Sequence, residues 1–167
     1  RAHAEHRPVV LNVPLNIEWD EVEYEARPAL TPTSLRLAAD PDHLETALGI
    51  IASSARPLIV AGRGAVKSGA RDTLIRLGDA LGAPLATSLL ATGYFEEEPF
   101  NLGIHGTLSH QIAGETFAMA DCLIVFGAGL NFLTTDYQSL LAGKRVVQVD
   151  LNPANIDRYV TVDAGVV

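Results

Sequence analysis

The spacing of apolar and polar positions changes along the chain. Near the start, Arg7-Pro8-Val9-Val10-Leu11-Asn12-Val13-Pro14-Leu15 is an apolar run ending at a proline, and it predicts one extended strand. Glu18, Asp20, Glu21, Glu23 and Glu25 follow. Like charges that dense repel and favour a solvated, extended path, so the stretch reads as a solvated linker or as a patch that meets a partner. Pro28, Thr31, Pro32, Thr33 and Ser34 continue the linker character. A helix is predicted from Pro41, with Asp40 as its N-cap. Leu44, Ala47, Leu48 and Ile51 fall at helical spacing and make one apolar stripe. Ser53-Ser54-Ala55-Arg56-Pro57 ends it, because a residue before proline disfavours the helical region.

From there, short apolar runs alternate with helical stretches. Leu58-Ile59-Val60-Ala61 reads as a strand punctuated by Gly62-Arg63-Gly64. A helix from about Ala70 to Leu81 carries Leu74, Leu77 and Leu81 on one face and stops at Gly82-Ala83-Pro84. Leu85-Ala86-Thr87 is a second short strand, and residues 91–106 read as a loop holding glycines and acids. Leu108 to Ala120 is the next helix, with Ile112, Phe117 and Met119 among its apolar positions. Cys122-Leu123-Ile124-Val125-Phe126 is the clearest strand and leads into Gly127-Ala128-Gly129. Val146-Val147-Gln148-Val149 is another, followed by Asp150, and Thr161-Val162 begins a last one. Strands that are apolar throughout must be covered on both faces. The alternation therefore predicts an α/β fold: a doubly wound, Rossmann-like open parallel sheet of about six strands, helices on both faces, with right-handed crossovers.

Composition narrows this picture. A length of 167 residues suits one domain with an appendage, and 48% hydrophobic residues supply a core. Twelve basic against 20 acidic side chains give a net charge of −8, which argues against nonspecific binding to nucleic acid or acidic membranes. A single cysteine, Cys122, excludes an intrachain disulfide and reads as a small buried hydrophobe. No apolar run approaches the ~20 residues that span a bilayer. Arg1 opens the chain and no signal-peptide pattern follows, so a piece of a larger cytoplasmic protein is expected.

In an open parallel sheet, ligands bind beyond the carboxyl ends of the strands, where the strand order reverses. Gly62-Arg63-Gly64-Ala65 follows the first strand. Glycine permits a tight turn and lets a phosphate approach backbone N–H groups. The dinucleotide fingerprint wants a third glycine where Lys67 stands, and Gly69 is offset by two, so a ligand-free strand-to-helix turn is the equal alternative. Gly127-Ala128-Gly129-Leu130-Asn131 repeats the device. Asp150 could accept from a ribose hydroxyl or an adenine amine, and Asp150 and Asn152 could cap a short helix begun by Pro153, the two uses being compatible. In Gly103-Ile104-His105-Gly106-Thr107 a histidine stands between two glycines ahead of a helix, whose N-terminus favours a neutral imidazole. His105 and His110 lack zinc-ligand spacing, and neither a G-x-S-x-G elbow nor a P-loop occurs.

Taken in order, these segments resemble one family. Arg56-Pro57-Leu58-Ile59-Val60-Ala61-Gly62-Arg63-Gly64-Ala65, Pro84 to Gly93, Leu102-Gly103-Ile104-His105-Gly106-Thr107, Ala120 to Ala128, and Val149-Asp150-Leu151-Asn152-Pro153 resemble successive pieces of the central domain of thiamine-diphosphate-dependent enzymes of the acetolactate synthase and pyruvate decarboxylase type. The set covers roughly residues 40–165. Pro8 to Pro14 resembles the last strand of the pyrimidine-binding domain that precedes it. The resemblance thus implies a tail of that domain over 1–17, an acidic linker over 18–39 and a central domain over 40–167, the last with the NAD/FAD-binding sheet that the family shares with deoxyhypusine synthase.

That resemblance implies a parent enzyme that uses thiamine diphosphate and magnesium to make or break a carbon–carbon bond beside the carbonyl of a 2-oxo acid. It implies no catalytic or metal-binding residue in this chain: the activating glutamate and the G-D-G…N motif belong to other domains, and the nearest likeness, Gly78-Asp79-Ala80, falls in a helical pattern. The implied partners are the pyrimidine- and diphosphate-binding domains of the same chain and further copies in a homodimer or homotetramer. Some members also hold FAD or ADP on the central domain. Carried over by position, the candidates are Gly62, Arg63, Gly64, His105, Gly106, Thr107, Gly127, Ala128, Asp150 and Asn152. Two departures oppose a flavin: Leu130-Asn131-Phe132-Leu133-Thr134-Thr135-Asp136 lacks the arginine of the usual D-D-R segment, and Asn152 replaces the second aspartate of D-I-D-P. The alternative is a stand-alone NAD- or FAD-binding oxidoreductase domain, which would want the missing fingerprint.

Overall fold

The computed structural model describes residues 8–26 and 38–167. The chain divides into two units, Arg1–Arg36 and Leu37–Val167. In the first, residues 8–14 enter no ladder, and Leu15–Ile17 forms one 3-10 turn closed by the Ile17 N–H on the Pro14 carbonyl at 3.1 Å. The strand expected there is thus not formed among the described residues of this unit. Strand backbone groups need a neighbouring strand to bond to, and an isolated one is not stable in water. Arg7 and the proline-bearing stretch from Pro28 to Ser34 lie outside the described residues.

The second unit is built on six strands: β1 (Pro57–Ala61), β2 (Leu85–Thr87), β3 (Asn101–Ile104), β4 (Cys122–Phe126), β5 (Arg145–Val149) and β6 (Ala164–Val166). Their order is β3-β2-β1-β4-β5-β6, and every neighbouring pair is parallel. Side chains alternate across the sheet. Leu85, Ile59, Ile124, Val147 and Ala164 pair in register to form one continuous row. That row packs with Ala47 of α1 (Pro41–Ala52), Ala65 of α2 (Arg63–Lys67) and Leu74 of α3 (Arg71–Leu81). Leu58, Val60, Leu123 and Val125 face the other way, onto Ala113 and Phe117 of α4 (Gln111–Met119). The doubly wound sheet read from the apolar runs is the one present. Burying each large aliphatic or aromatic side chain is worth roughly 1.5–3 kcal/mol, so these two layers dominate the stability.

Local signals set the helix ends. The Asp40 carboxylate accepts from the Asp42 and His43 N–H groups at 3.0 and 3.2 Å, and Pro41 takes the first helical position. Gly82 ends α3 in the left-handed region at φ 61°. Four expectations shift. In α1, Ala47 and Ile51 of the expected stripe turn inward together with Ile50, while Leu44 and Leu48 of that stripe stay exposed, so the buried face is rotated from it. α4 starts at Gln111 rather than Leu108, because the His110 ring nitrogen accepts from the Ala113 N–H at 3.3 Å and caps the helix; Leu108, Ile112 and Met119 are exposed. The last strand forms at Ala164–Val166, not from Thr161. The fourth is β3, which lies inside the stretch expected as loop. Gly103 stands mid-strand at φ 73°, its N–H accepted by the Asn101 side chain, and the pairing with β2 slips between Leu85 and Thr87. An edge strand so interrupted leaves little pattern in the sequence.

Candidate functional site

Because every strand runs the same way, the residues following them stand along one rim. Each first loop residue extends the ladder by one bond: Ser88 N–H to Ala61 O, His105 to Thr87 O, Gly62 to Phe126 O and Gly127 to Val149 O, all at 2.8 Å, and Asp150 to Val166 O at 3.0 Å. The sequence candidates after β1, β3, β4 and β5 are thereby brought to one edge of the sheet, and the order reverses between β1 and β4.

At that reversal two glycine turns meet each other. The Gly64 N–H donates to Gly127 O at 3.0 Å, and Gly127 adopts φ 62°. A Cβ built on Gly64 would lie 2.7 Å from the Gly127 Cα, and one on Gly62 would lie 2.5 Å from the Ala128 methyl. Tyr94 Oη donates to the Ala65 carbonyl at 2.9 Å and pins α2 from the side. Arg63 stays exposed. Gln148, buried in β5, donates from Nε2 to the carbonyls of Ala128 at 3.1 Å and Asn155 at 3.2 Å, which ties the turns after β4 and β5 together. The sequence reading missed Gln148, although one amide in a strand buried on both faces is itself a sign of fixed partners.

Asp150 and Asn152 form the expected cap. One Asp150 carboxylate oxygen accepts from the Asn152 N–H at 2.9 Å and the Asn155 side-chain amide at 3.0 Å; Asn152 accepts from the Ala154 N–H at 3.1 Å and opens the turn Pro153–Asn155.

His105 is the one group on the rim with strongly altered acidity. It is 1% exposed, and its ring lies 4.5 Å from that of Phe117, centroid to centroid. Nδ1 is 2.7 Å from the Thr134 carbonyl. A carbonyl only accepts, so Nδ1 carries the proton and Nε2 keeps a lone pair. Nε2 is buried with no hydrogen-bond partner among the described residues. Burial pushes the imidazole pKa down to about 4, against an upward pull from the Thr134 carbonyl, and Lys144 lowers it further. The neutral ring expected from a helix N-terminus is found, but desolvation is its main cause. Gly106, at φ 116°, runs against the backbone of Leu133 and Thr134, and the Thr107 N–H donates to Leu133 O at 2.9 Å. What holds the loop is therefore α5 (Phe132–Thr135), where the departure from the flavin-type segment lies. Asn131 caps α5 by accepting from the Leu133 and Thr134 N–H groups, both at 3.1 Å. An asparagine ahead of that run is a readable cap that the sequence reading passed over.

The chemistry available is limited. Cys122 is buried, and burial raises its thiol pKa. Among the described residues, no group of three His, Cys, Asp or Glu side chains is placed to hold a metal ion, and no helix is long and apolar enough to cross a membrane. Gly78-Asp79-Ala80 lies within α3, so it offers no loop to diphosphate and magnesium. A cleft of about 490 Å³ lies at the opposite end of the sheet, between the end of α3 and the segments entering β2 and β3, away from every candidate residue.

The comparisons agree with this layout. The family model described as "Thiamine pyrophosphate enzyme, central domain" matches residues 44–167. A probable acetolactate synthase large subunit of Methanocaldococcus jannaschii is 28% identical across 96% of this chain and 28% of its own length. Acetolactate synthase 2, chloroplastic, of Zea mays is 32% identical across 90% of this chain and 24% of its own. Glyoxylate carboligase of Escherichia coli O157:H7 is 26% identical, across 96% and 28%. The chain thus spans about a quarter of the length of these relatives. With a six-stranded parallel sheet, glycine turns at its reversal point and the family model matched from α1 to the final residue, the chain belongs to the thiamine pyrophosphate enzymes, with residues 44–167 matching their central domain.

Proposed function

We propose that the intact protein is a thiamine-diphosphate- and magnesium-dependent carboligase or decarboxylase of the acetolactate synthase kind, acting on a 2-oxo acid in the cytoplasm. The match of residues 44–167 to the central-domain model carries this reading, with acetolactate synthases and a glyoxylate carboligase among the relatives. Thiamine diphosphate, when bound, supplies the carbanion that adds to a carbonyl. Its ligands belong to flanking domains. This chain's part is to pack the pyrimidine-binding domain against the diphosphate-binding domain and to support a homodimer or homotetramer. The apolar segment through Ile17 completes a strand of the preceding domain, and the acids from Glu18 form the linker. Of the two roles the resemblance allows for the central domain, packing and nucleotide binding, we assign the first. The rim candidates Gly62, Gly64, His105, Gly106, Thr107, Gly127, Ala128, Asp150 and Asn152 then serve to hold its loops in a fixed shape, with Arg63 facing outward. The test is turnover of a panel of 2-oxo acids by the intact protein, stripped of and then resupplied with thiamine diphosphate and magnesium. Activity that returns only with the cofactor is expected. Activity indifferent to it sinks the proposal.

A further inference from the structure

We infer that the glycine turns where the strand order reverses are packed backbone against backbone and take no flavin or adenine nucleotide, the paired glycines being there so that two backbones can touch. A diphosphate on such a turn needs free N–H groups, space above the turn and an open crevice where the strand order reverses. The N–H groups of Gly62, Gly64 and Gly127 are each taken, by the carbonyls of Phe126, Gly127 and Val149. The space is taken as well. A Cβ on Gly64 would sit 2.7 Å from the Gly127 Cα, and one on Gly127 would sit 2.5 Å from the Gly64 Cα. Each glycine is filled by the other.

Other glycines of the chain show the contrast. Gly69, Gly82 and Gly143 have positive φ and nothing within 4 Å of a built Cβ, so only their backbone conformation calls for glycine. Gly62 and Gly64 have no positive φ to account for, yet neither leaves room for a Cβ against the turn after β4. One oxygen of Asp150 is committed to its own turn, accepting from the Asn152 N–H and the Asn155 amide. The buried polar atom without a partner among the described residues, Nε2 of His105, borders a space of about 10 Å³ walled by Leu89, Leu108 and Leu133 among others. That is room for about one water, against the roughly 300–1,000 Å³ of a small-molecule site.

Nucleotide occupancy of the rim and thiamine dependence are separate measurements, so either can fail alone. The intact protein, purified without added nucleotide, is heat-denatured, and released flavin and adenine nucleotides are quantified per protomer. It is then titrated calorimetrically with FAD and with ADP while saturated with thiamine diphosphate. The expected result is neither a stoichiometric release nor a saturable heat. About one FAD or ADP per protomer, or saturable binding of either, overturns the inference. Thermal melting gives a second reading: Gly64→Ala and Gly127→Ala are expected to melt well below wild type, and Gly49→Ala, in open helix, is not. An unchanged melting temperature for Gly64→Ala overturns the clasp.

Discussion

Acid should weaken this domain through His105, and the size of the effect follows from its surroundings. In the unfolded chain the imidazole titrates near 6.5; in the fold, burial holds it at about 4. Above the unfolded pKa neither state carries the proton and the group costs nothing. As pH falls from there, the unfolded chain binds a proton that the native one refuses, so stability drops, and the drop levels off below the folded pKa. A depression of that size at roughly 1.4 kcal/mol per pKa unit gives about 3 kcal/mol in full. His105→Gln is the useful perturbation, since an amide can still donate to the Thr134 carbonyl but does not titrate. Urea unfolding of wild type and variant, followed by circular dichroism from about pH 7.5 to about pH 4.5, isolates the histidine in the difference between the two curves. The variant should be less stable near neutrality, from imperfect packing on Phe117, and its deficit should shrink or reverse in acid. Parallel pH dependences would refute the account, and so would an imidazole resonance titrating near its ordinary value.

Other outcomes follow from the same contacts. Phe117→Ala removes the largest side chain facing His105 in the α4 layer and should cost about 3–5 kcal/mol in equilibrium unfolding. Gly106→Ala forces a methyl into the Leu133–Thr134 backbone at a positive φ, and should lower the melting temperature more than any of Gly69→Ala, Gly82→Ala or Gly143→Ala. The Asp121 carboxylate accepts from the Ala55 and Arg56 N–H groups, both at 2.9 Å, and these bonds hold its pKa below the ordinary carboxylate value. Its contribution is therefore present near neutrality and lost as pH falls through that lowered pKa; Asp121→Asn should be the weaker protein at neutral pH and show a smaller further loss in acid unfolding. Cys122 should resist a thiol-titrating reagent in native buffer and react fully in denaturant, because it is buried and burial raises its pKa.

The parts of the fold that the sequence disclosed are those with a dense local pattern. β1 and β4 are unbroken apolar runs, and β5 is one apart from Arg145 and Gln148, because helices cover both faces; such runs are visible without knowing the partners. The caps at Asp40 and Gly82 lie next to the helices they end. β3 escaped notice because Gly103 interrupts it and because its pairing is irregular. At the rim, the placement of the candidates was legible, since a parallel sheet puts every strand end on one side. Their partners were not. Gly64 meets Gly127 and His105 meets Thr134, 29 residues further on, through contacts that no local spacing encodes. The cap that Asp150 makes through Asn152 and Asn155 also shows only in its bonds.

The central claim is that this domain holds the cofactor domains apart and together without touching the chemistry. A cryo-electron microscopy map of the intact protein with thiamine diphosphate and magnesium bound tests it most directly. The expected map has the cofactor wholly ligated by flanking domains, with Gly64 still bonded to the Gly127 carbonyl. Density for cofactor or substrate against Gly62, His105 or Asp150 would contradict it.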